Sequence, residues 1–184
     1  MINNGTERSE EGHLSPDLAV RTRTDDDLDE CVKVLAEVHR RDAYPMRWPD
    51  DPAGWLNSSK LTGAWVAALD GTLVGHAGLA TAAPGDAAAK LLGAPAAMVT
   101  RLFVDPVARG HGAASALLAH VVRAARERGL HPVLDVDSAG ASAIALYERL
   151  GWRFLGASEA QWGPHRVTVR SYAAPPAPQR PPPN

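Results

Sequence analysis

The feature that most constrains the fold is a glycine-rich turn followed directly by a long amphipathic pattern. The turn is Arg109-Gly-His-Gly-Ala-Ala114, and it follows an apolar run at residues 97–104. This spacing of apolar residues predicts a helix that buries one face, and the glycine at position 129 is typical of a helix end. The sequence therefore predicts a strand–turn–helix unit. The apolar positions of the helix are Ala114, Leu117, Leu118, Val121, Val122 and Ala125.

Shorter patterns on both sides of this unit predict an α/β domain. One helix is predicted at residues 25–42 behind a Thr24 cap, and another at residues 143–150. Two strands are joined by Asp70-Gly71, which is a strong hairpin signal. The order of elements predicts a mixed, mostly antiparallel central sheet flanked by helices. The predicted strands besides 97–104 are 19–24, 64–69, 72–79, 132–136, 152–155 and 166–172.

The chain divides into one folded domain and two ends of different composition. Its 184 residues match a single domain. Residues 1–16 are short of the branched and aromatic residues that build a core, so we expect them to be disordered. Residues 174–184 hold 6 of the 15 prolines, and we expect an extended, solvated tail there rather than a ligand for a proline-binding domain. The folded domain is therefore predicted at residues 17–173.

Composition argues against several classes of protein. Hydrophobic residues make up 45% of the chain and charged residues 22%, as in soluble globular proteins. The formal charge of −2 argues against a nucleic-acid binder. The single cysteine, Cys31, excludes a disulfide scaffold and a cysteine zinc site. Because the N-terminus is polar and no run is long and apolar enough to span a bilayer, we expect a cytoplasmic protein without membrane contact.

The glycine-rich turn has the residue types of an anion-binding site. Gly110 and Gly112 permit a tight turn with bare amide groups. The dipole of the following helix favours a negative ligand at the same place. Arg109 adds a charge that can pair with a phosphate oxygen. A diphosphate is therefore the ligand that we expect.

The turn alone leaves other interpretations open. A P-loop is excluded because the Gly-Lys-Ser/Thr ending is absent. A dinucleotide site would use Asp135 to bind a ribose, but Ser115 stands in place of the third glycine and five residues separate the strand from the first glycine. The plainest alternative is a turn that only begins a helix.

Two motifs together resemble the GNAT superfamily of acyl-coenzyme A-dependent N-acetyltransferases. Arg109, Gly112 and Ala114 match its Arg/Gln-x-x-Gly-x-Gly/Ala signature. The segment Ala143-Ile-Ala-Leu-Tyr-Glu-Arg-Leu-Gly-Trp152 is similar to its Ala-x-x-Leu-Tyr-x-x-x-Gly-Phe helix. The resemblance implies a GNAT-like fold in which the central strands splay apart. It also implies acetyl-coenzyme A as co-substrate, with no metal.

The resemblance also assigns roles to individual residues. Leu102, Phe103 and Val104 would pair with the pantetheine amides as a neighbouring strand does, and an amide near Phe103 would polarise the thioester carbonyl. Tyr147 would give a proton to the departing thiolate; a packed core tyrosine is the alternative. Ala143 is assigned to the coenzyme site. The main chain of the turn would hold the pyrophosphate, through Arg109, Gly110, His111, Gly112, Ala113 and Ala114.

Two positions depart from the family pattern. Gly140 stands where the family often has an asparagine that contacts the coenzyme, and Ser138 or Ser142 is a candidate replacement. Met98 stands where protein-directed members have a glutamate base. Because a lysine-like amine with a pKa of about 10.4 is charged at pH 7, a water chain or another residue would have to take its proton.

The acceptor side has the fewest sequence signals. Tyr44, Trp48 and Trp55 lie in a loop with Asp50 and Asp51, and aromatics beside carboxylates suit a cationic amine. In the alternative, the tryptophans seal the loop onto the core and the aspartates cap a short helix.

The resulting prediction is an enzyme that moves an acetyl group directly to a primary amine, in a small molecule or a peptide. No acyl-enzyme is expected, because nothing near Cys31 suggests an activated thiolate. His76 is a candidate base in the acceptor site, with a packed core histidine as the alternative. The rival function is a non-catalytic module that binds or senses acyl-coenzyme A, and a homodimer stays open.

Overall fold

Seven strands and five helices form the part of the chain that the structure, a computed structural model, describes: residues 16–177. The strands are β1 (Leu18–Thr22), β2 (Leu61–Leu69), β3 (Thr72–Thr81), β4 (Ala96–Val104), β5 (His131–Asp137), β6 (Arg153–Trp162) and β7 (His165–Ala173). The helices are α1 (Leu28–Asp42), α2 (Pro52–Leu56), α3 (Ala87–Leu92), α4 (Ala113–Glu127) and α5 (Ala141–Arg149), with 3-10 turns at Asp25–Asp27 and Pro106–Ala108.

All seven strands join one sheet in the order β1-β2-β3-β4-β5-β7-β6. Neighbouring strands are antiparallel except for β4 and β5, which are parallel. The predicted mixed, mostly antiparallel sheet is therefore confirmed. The hairpin at Asp70-Gly71 is confirmed too, because both residues have the positive φ, 49° and 79°, that a tight two-residue hairpin requires.

The sheet separates two apolar clusters. Val66 of β2 belongs to a cluster with Leu35 of α1, whereas the next residue, Ala67, belongs to a cluster with Leu117 of α4. Alternate side chains of a strand point to opposite faces, so α1 covers one face and α4 the other. Both leucines have no exposed surface, which explains the apolar stripes of the two helices.

Two elements differ from the sequence prediction. Helix α3 lies between the predicted strands 72–79 and 97–104, where no helix was predicted, and β6 continues to Trp162 instead of ending at residue 155. The predicted disordered end 1–16 lies outside the described residues except for residue 16, as does the tail 174–184 except for 174–177. None of the helices within residues 16–177 is long and apolar enough to cross a membrane. The same residues contain no cluster of three potential His, Cys, Asp or Glu metal ligands.

Strand β4 contains a bulge at Arg101. Gly78 of β3 pairs with Thr100 and His76 with Phe103, so β4 advances three residues while β3 advances two. Arg101 has a φ of 52°, a conformation that residues other than glycine seldom adopt. The extra residue bends the strand and redirects its main chain.

The two parallel strands β4 and β5 splay apart. They pair only between Ala96–Met98 and residues 131–133, although β4 runs on to Val104 and β5 to Asp137. Beyond Met98 a gap therefore opens between the strands, as the resemblance implied. The bulge at Arg101 lies on the wall of this gap.

Candidate active site

Two strand edges that do not pair with each other border the gap. On one wall, the amide of Asp105 donates to the main-chain oxygen of Val74 on β3 at 2.7 Å. Successive amides of a strand point to opposite sides, so the amide of Val104 points away from β3 and into the gap. On the other wall, β5 pairs with β7 from Val133 onward, which leaves its opposite edge facing β4.

A buried histidine holds the bulged peptide. The Nδ1 atom of His76 lies 2.9 Å from the main-chain oxygen of Arg101, and its Nε2 atom lies 3.4 Å from Nη1 of Arg23. A guanidinium group can only donate, so Nε2 accepts and Nδ1 carries the proton that it donates to Arg101. Burial lowers the pKa of His76 to about 4, which keeps this neutral tautomer at pH 7.

This contact fixes the direction of the next amide. In a trans peptide the carbonyl and the following N–H point in opposite directions. Because the oxygen of Arg101 points toward His76, the N–H of Leu102 points away from His76. His76 itself has no exposed surface and stacks on Phe103 with ring centroids 5.3 Å apart. The structure thus places His76 in the core. Its imidazole reaches the wall of the gap through the hydrogen bond to the main-chain oxygen of Arg101.

The glycine-rich turn leads from β4 into α4. Gly110 and Gly112 have φ values of 88° and 84°, which explains why glycine occupies both positions. Within residues 16–177, no hydrogen bond is donated by the main-chain amides of residues 110–115. These amides, together with the N-terminus of a 15-residue helix, form the environment that favours an anion.

Two side chains of the turn have protein partners. Arg109 donates to the carboxylate of Asp42 at the end of α1, so its guanidinium group is paired rather than held open for a phosphate. The Nδ1 atom of His111 lies 3.1 Å from the main-chain oxygen of Ala108, and the residue is exposed. The anion-binding character of the turn therefore resides mainly in its backbone.

Tyr147 lies on the inner face of α5. Its ring packs against Trp152 and Tyr172 at centroid distances of 5.8 and 6.1 Å, and the residue is 7% exposed. Burial raises the pKa of Tyr147, and the phenol of Tyr44 adds to this shift. Its hydroxyl group makes no hydrogen bond to the residues that the structure describes. The phenol therefore stays protonated and able to donate, and Ala143 lies one helical turn before it.

The aromatic loop residues pack against the domain. Trp48 lies 5.3 Å from the ring of His39, and Tyr44 meets Trp55 edge-on at 6.4 Å. Burial raises the pKa of Tyr44 to about 12. All three aromatics contact the cluster that contains Leu35, so they join the loop to the core.

The carboxylates of this loop are used locally. Asp51 caps α2 by accepting from the amide of Gly54 at 2.9 Å, and Asp50 pairs with Arg47. The cation above Trp55 is the guanidinium of Arg101, at 4.8 Å from the ring centroid. This arrangement favours the alternative in which the tryptophans pack the loop onto the core, because the guanidinium of Arg101 occupies the face of Trp55 that an acceptor amine would use.

Arg101 and Arg23 were not among the predicted site residues. Both guanidinium groups lie near His76 and influence its pKa. Arg23 donates to the main-chain oxygen of Leu56 and to Asn57. The only sequence signal for Arg101 is a charged residue inside the apolar run 97–104.

The carboxylate of Asp135 has partners within the protein. Its carboxylate accepts hydrogen bonds from the amides of Ala87 and Ala88 at 3.1 and 3.0 Å and from the hydroxyl of Ser171 at 2.5 Å. It therefore holds the start of α3, which the sequence prediction had missed. The dinucleotide interpretation requires the Asp135 carboxylate to bind a ribose, and this carboxylate is already occupied by protein donors.

Comparison with known proteins places this site in a family. The profile of the Acetyltransferase (GNAT) family matches residues 28–152, and no curated protein sequence gives a significant match. Among solved structures, the ribosomal-protein-S18-alanine N-acetyltransferase from Escherichia coli is 19% identical, with 91% of this chain and 99% of that chain covered and a TM-score of 0.65. Arabidopsis thaliana NAA60 in complex with acetyl-CoA is 20% identical, with coverage of 85% and 98% and a TM-score of 0.64. An N-acetyltransferase from Staphylococcus aureus Mu50 is 18% identical, with coverage of 85% and 97% and a TM-score of 0.64.

These likenesses confirm the GNAT-like fold that the two motifs implied. The matched residues run from the start of α1 to Trp152 and include β4, the glycine-rich turn and α5. The chain therefore belongs to the GNAT acetyltransferase family, whose members are acyltransferases.

Proposed function

We propose that the protein is an N-acetyltransferase that transfers the acetyl group of acetyl-coenzyme A to a primary amine by direct attack. The observation that carries this proposal is the gap between β4 and β5, whose edge leads through the glycine-rich turn into α4. An exposed strand edge suits the amides of an extended ligand, and the turn suits a diphosphate. One continuous stretch, residues 102–115, thus offers donors to both parts of the coenzyme.

The main chain of the gap would hold the pantetheine arm. The amide of Val104 points into the gap, which supports the assignment of Leu102, Phe103 and Val104 to this role. The amides of residues 110–115, which donate to no described residue, would hold the pyrophosphate. Ala143 adds a small side chain beside Tyr147, which leaves room for the ligand.

The amide of Leu102 would stabilise the oxygen of the thioester carbonyl as negative charge develops on it. This N–H points away from His76 because His76 holds the preceding carbonyl. An amide that is fixed before the reaction stabilises the transition state without reorganising. His76 would therefore act as a positioning residue for this donor.

The chemical step balances as a direct transfer. The amine lone pair forms a C–N bond to the thioester carbon, and collapse of the adduct breaks the C–S bond. The hydroxyl of Tyr147 gives its proton to the sulfur and is reprotonated from solvent, while the amine loses a proton to water. Cys31 takes no part, because it is fully buried and burial raises its pKa to about 12.

Two residues favour a second candidate, a module that binds acyl-coenzyme A without turnover. Met98 offers no carboxylate to deprotonate an amine, and Gly140 has no side chain to contact the coenzyme. A Cβ atom at Gly140 would lie 3.1 Å from the main-chain oxygen of Asp137. A larger residue there would need a small shift of the backbone.

One experiment separates the two candidates. Binding of acetyl-coenzyme A is measured by calorimetry, and release of its thiol is followed with a panel of free amines, amino acids and peptides. Acetyl transfer predicts binding and thiol release that depends on the acceptor. Binding without thiol release above background, for every acceptor, would support the non-catalytic module instead. NAD serves as a control ligand and should not bind.

A further inference from the structure

We infer that the acceptor amine carries an anionic group, such as a carboxylate, and that Arg101 binds it. This inference rests on the proposed acetyl transfer and names the class of acceptor. It starts from the position of Arg101 in the bulge, one residue before the Leu102 amide that is assigned to the thioester. An acceptor that attacks a thioester held by the Leu102 amide would therefore react next to the main chain of Arg101.

The guanidinium of Arg101 lacks a carboxylate partner among residues 16–177. Its Nε atom is buried without a hydrogen bond, and the group lies over the ring of Trp55. The pKa of Arg101 is lowered, first by burial and then by Arg23, while the phenol of Tyr44 acts in the opposite direction. A partly buried cation with no anion beside it is costly, so a ligand that supplies the anion would gain from pairing with it.

Several other arginines of the domain pair with a carboxylate. Arg21 pairs with Asp27, Arg109 with Asp42 and Arg170 with Glu148. Arg101 instead lies in an aromatic setting with a second cation, Arg23. Within residues 16–177, Arg23 donates to oxygens of Leu56 and Asn57 rather than to a carboxylate, and the nearest acid on this path is Asp25, 3.5 Å from the amide of Asn57. Arg101 itself is therefore the cation at this end of the gap that a ligand could pair with.

The backbone holds this cation in place. Arg101 adopts a left-handed φ of 52°, and His76 binds its main-chain oxygen. Trp55 holds the other end of the side chain by a cation–π contact. The donor for the thioester and the proposed donor for the anion thus come from neighbouring residues. Because the two donors belong to adjacent residues, we expect a small acceptor that carries its amine and its acid on one short skeleton, as a free amino acid does.

The same charge argues against a second cation on the acceptor. An amine that brings another positive group would meet the cation of Arg101, which has no carboxylate partner within residues 16–177. The aspartates of the aromatic loop are engaged with Gly54 and Arg47. A polyamine is therefore disfavoured relative to an amino acid.

The test compares acceptors that differ only in the anion. Thiol release from acetyl-coenzyme A is measured with free amino acids and with their carboxamides. It is also measured with pairs of peptides that have either an acidic side chain (Asp or Glu) or the matching amide (Asn or Gln) at the second position. We expect kcat/KM to be roughly 10- to 100-fold higher for the acids, the range of a charge-assisted hydrogen bond. A preference shown only by the peptides supports recognition of the anion in a polypeptide. Equal use of acids and carboxamides would overturn the inference while the acetyl transfer stands.

Variants assign the preference to Arg101. Arg101→Gln should raise KM for the acids to the level of the carboxamides and leave the affinity for acetyl-coenzyme A unchanged, whereas Arg101→Lys should keep part of the preference. Arg153→Gln removes an exposed arginine from β6 and is the matched control. If Arg101→Gln keeps the full preference for acids over carboxamides, the assignment of the anion to Arg101 is overturned. If a variant fails to fold, the comparison of acceptors with the wild-type protein still decides the acceptor class. Absence of thiol release with every acceptor would contradict the proposed function itself.

Discussion

His76 and Arg101 are joined by a hydrogen bond of 2.9 Å between a buried imidazole nitrogen on β3 and the main-chain oxygen of the bulge in β4. The contact links the core to the wall of the gap. It turns the peptide between Arg101 and Leu102 so that the next N–H points away from the histidine.

Loss of this contact should slow acetyl transfer without weakening coenzyme binding. His76→Leu removes the donor, and we expect kcat to fall about tenfold or more because the Leu102 amide is no longer held in place. His76→Asn can offer an amide N–H near the former Nδ1 position and should restore part of the rate. Steady-state kinetics separates kcat from KM, and calorimetry gives the coenzyme affinity. If His76→Leu turns over like the wild type, the histidine only fills the core.

The buried histidine should also make stability depend on pH. Burial lowers the pKa of His76 from 6.5 to about 4. Between these pH values the imidazole is therefore protonated in the unfolded chain and neutral in the folded chain. The free energy of unfolding should therefore fall as the pH drops from about 6.5 to about 4, by about 3 kcal/mol at most. Urea titrations of wild type and His76→Asn across this range measure the difference. Identical slopes in the two proteins would contradict the assignment of a neutral buried histidine.

Tyr147→Phe should lower turnover and leave coenzyme affinity nearly unchanged. The ring packs as before, and only the proton donor is lost, an effect that is typically worth 10² to 10⁴ in rate. Tyr172→Phe is the matched control, since it removes another tyrosine hydroxyl, one that donates to Glu148 at 2.9 Å. We expect the control to keep its rate of thiol release. Equal activity of Tyr147→Phe and wild type would reduce the tyrosine to a packing residue.

Gly112→Ala should weaken coenzyme binding at the turn. Gly112 has a φ of 84°, and an added Cβ would meet only Leu18 at 3.8 Å, so the strain comes from the backbone alone. Gly71→Ala, at a φ of 79° in the β2–β3 hairpin, introduces a similar strain of about 1 kcal/mol away from the gap. Both variants should lose similar stability in urea. Only Gly112→Ala should lose coenzyme affinity, roughly tenfold. A similar loss of affinity in both variants, or no loss in either, would show that the turn does not bind the coenzyme.

The parts of the fold that local patterns control were predictable. The strand–turn–helix unit, the Asp70-Gly71 hairpin and the helix of Tyr147 follow from spacing, turn residues and motif. Helix α3 was not predicted because its segment is rich in alanine, glycine and proline. The start of α3 depends on Asp135, 48 residues farther along the chain.

The acceptor side depends on contacts between distant segments in the same way. The bulge at Arg101 needs His76 from β3, and the position of the Arg101 side chain needs Trp55 from α2. Periodicity carries no signal for either contact. Sequence motifs therefore point to the proposed coenzyme side of the gap, whereas the contacts of Arg101 on the proposed acceptor side emerged only from the fold.

A crystal structure of the protein with bound coenzyme A tests the central claim most directly. We expect the pyrophosphate within hydrogen-bond distance of the amides of residues 110–115 and the pantetheine arm along residues 102–104, in the gap between β4 and β5. Coenzyme bound elsewhere, or a gap that stays closed by side chains while coenzyme occupies another surface, would contradict the account.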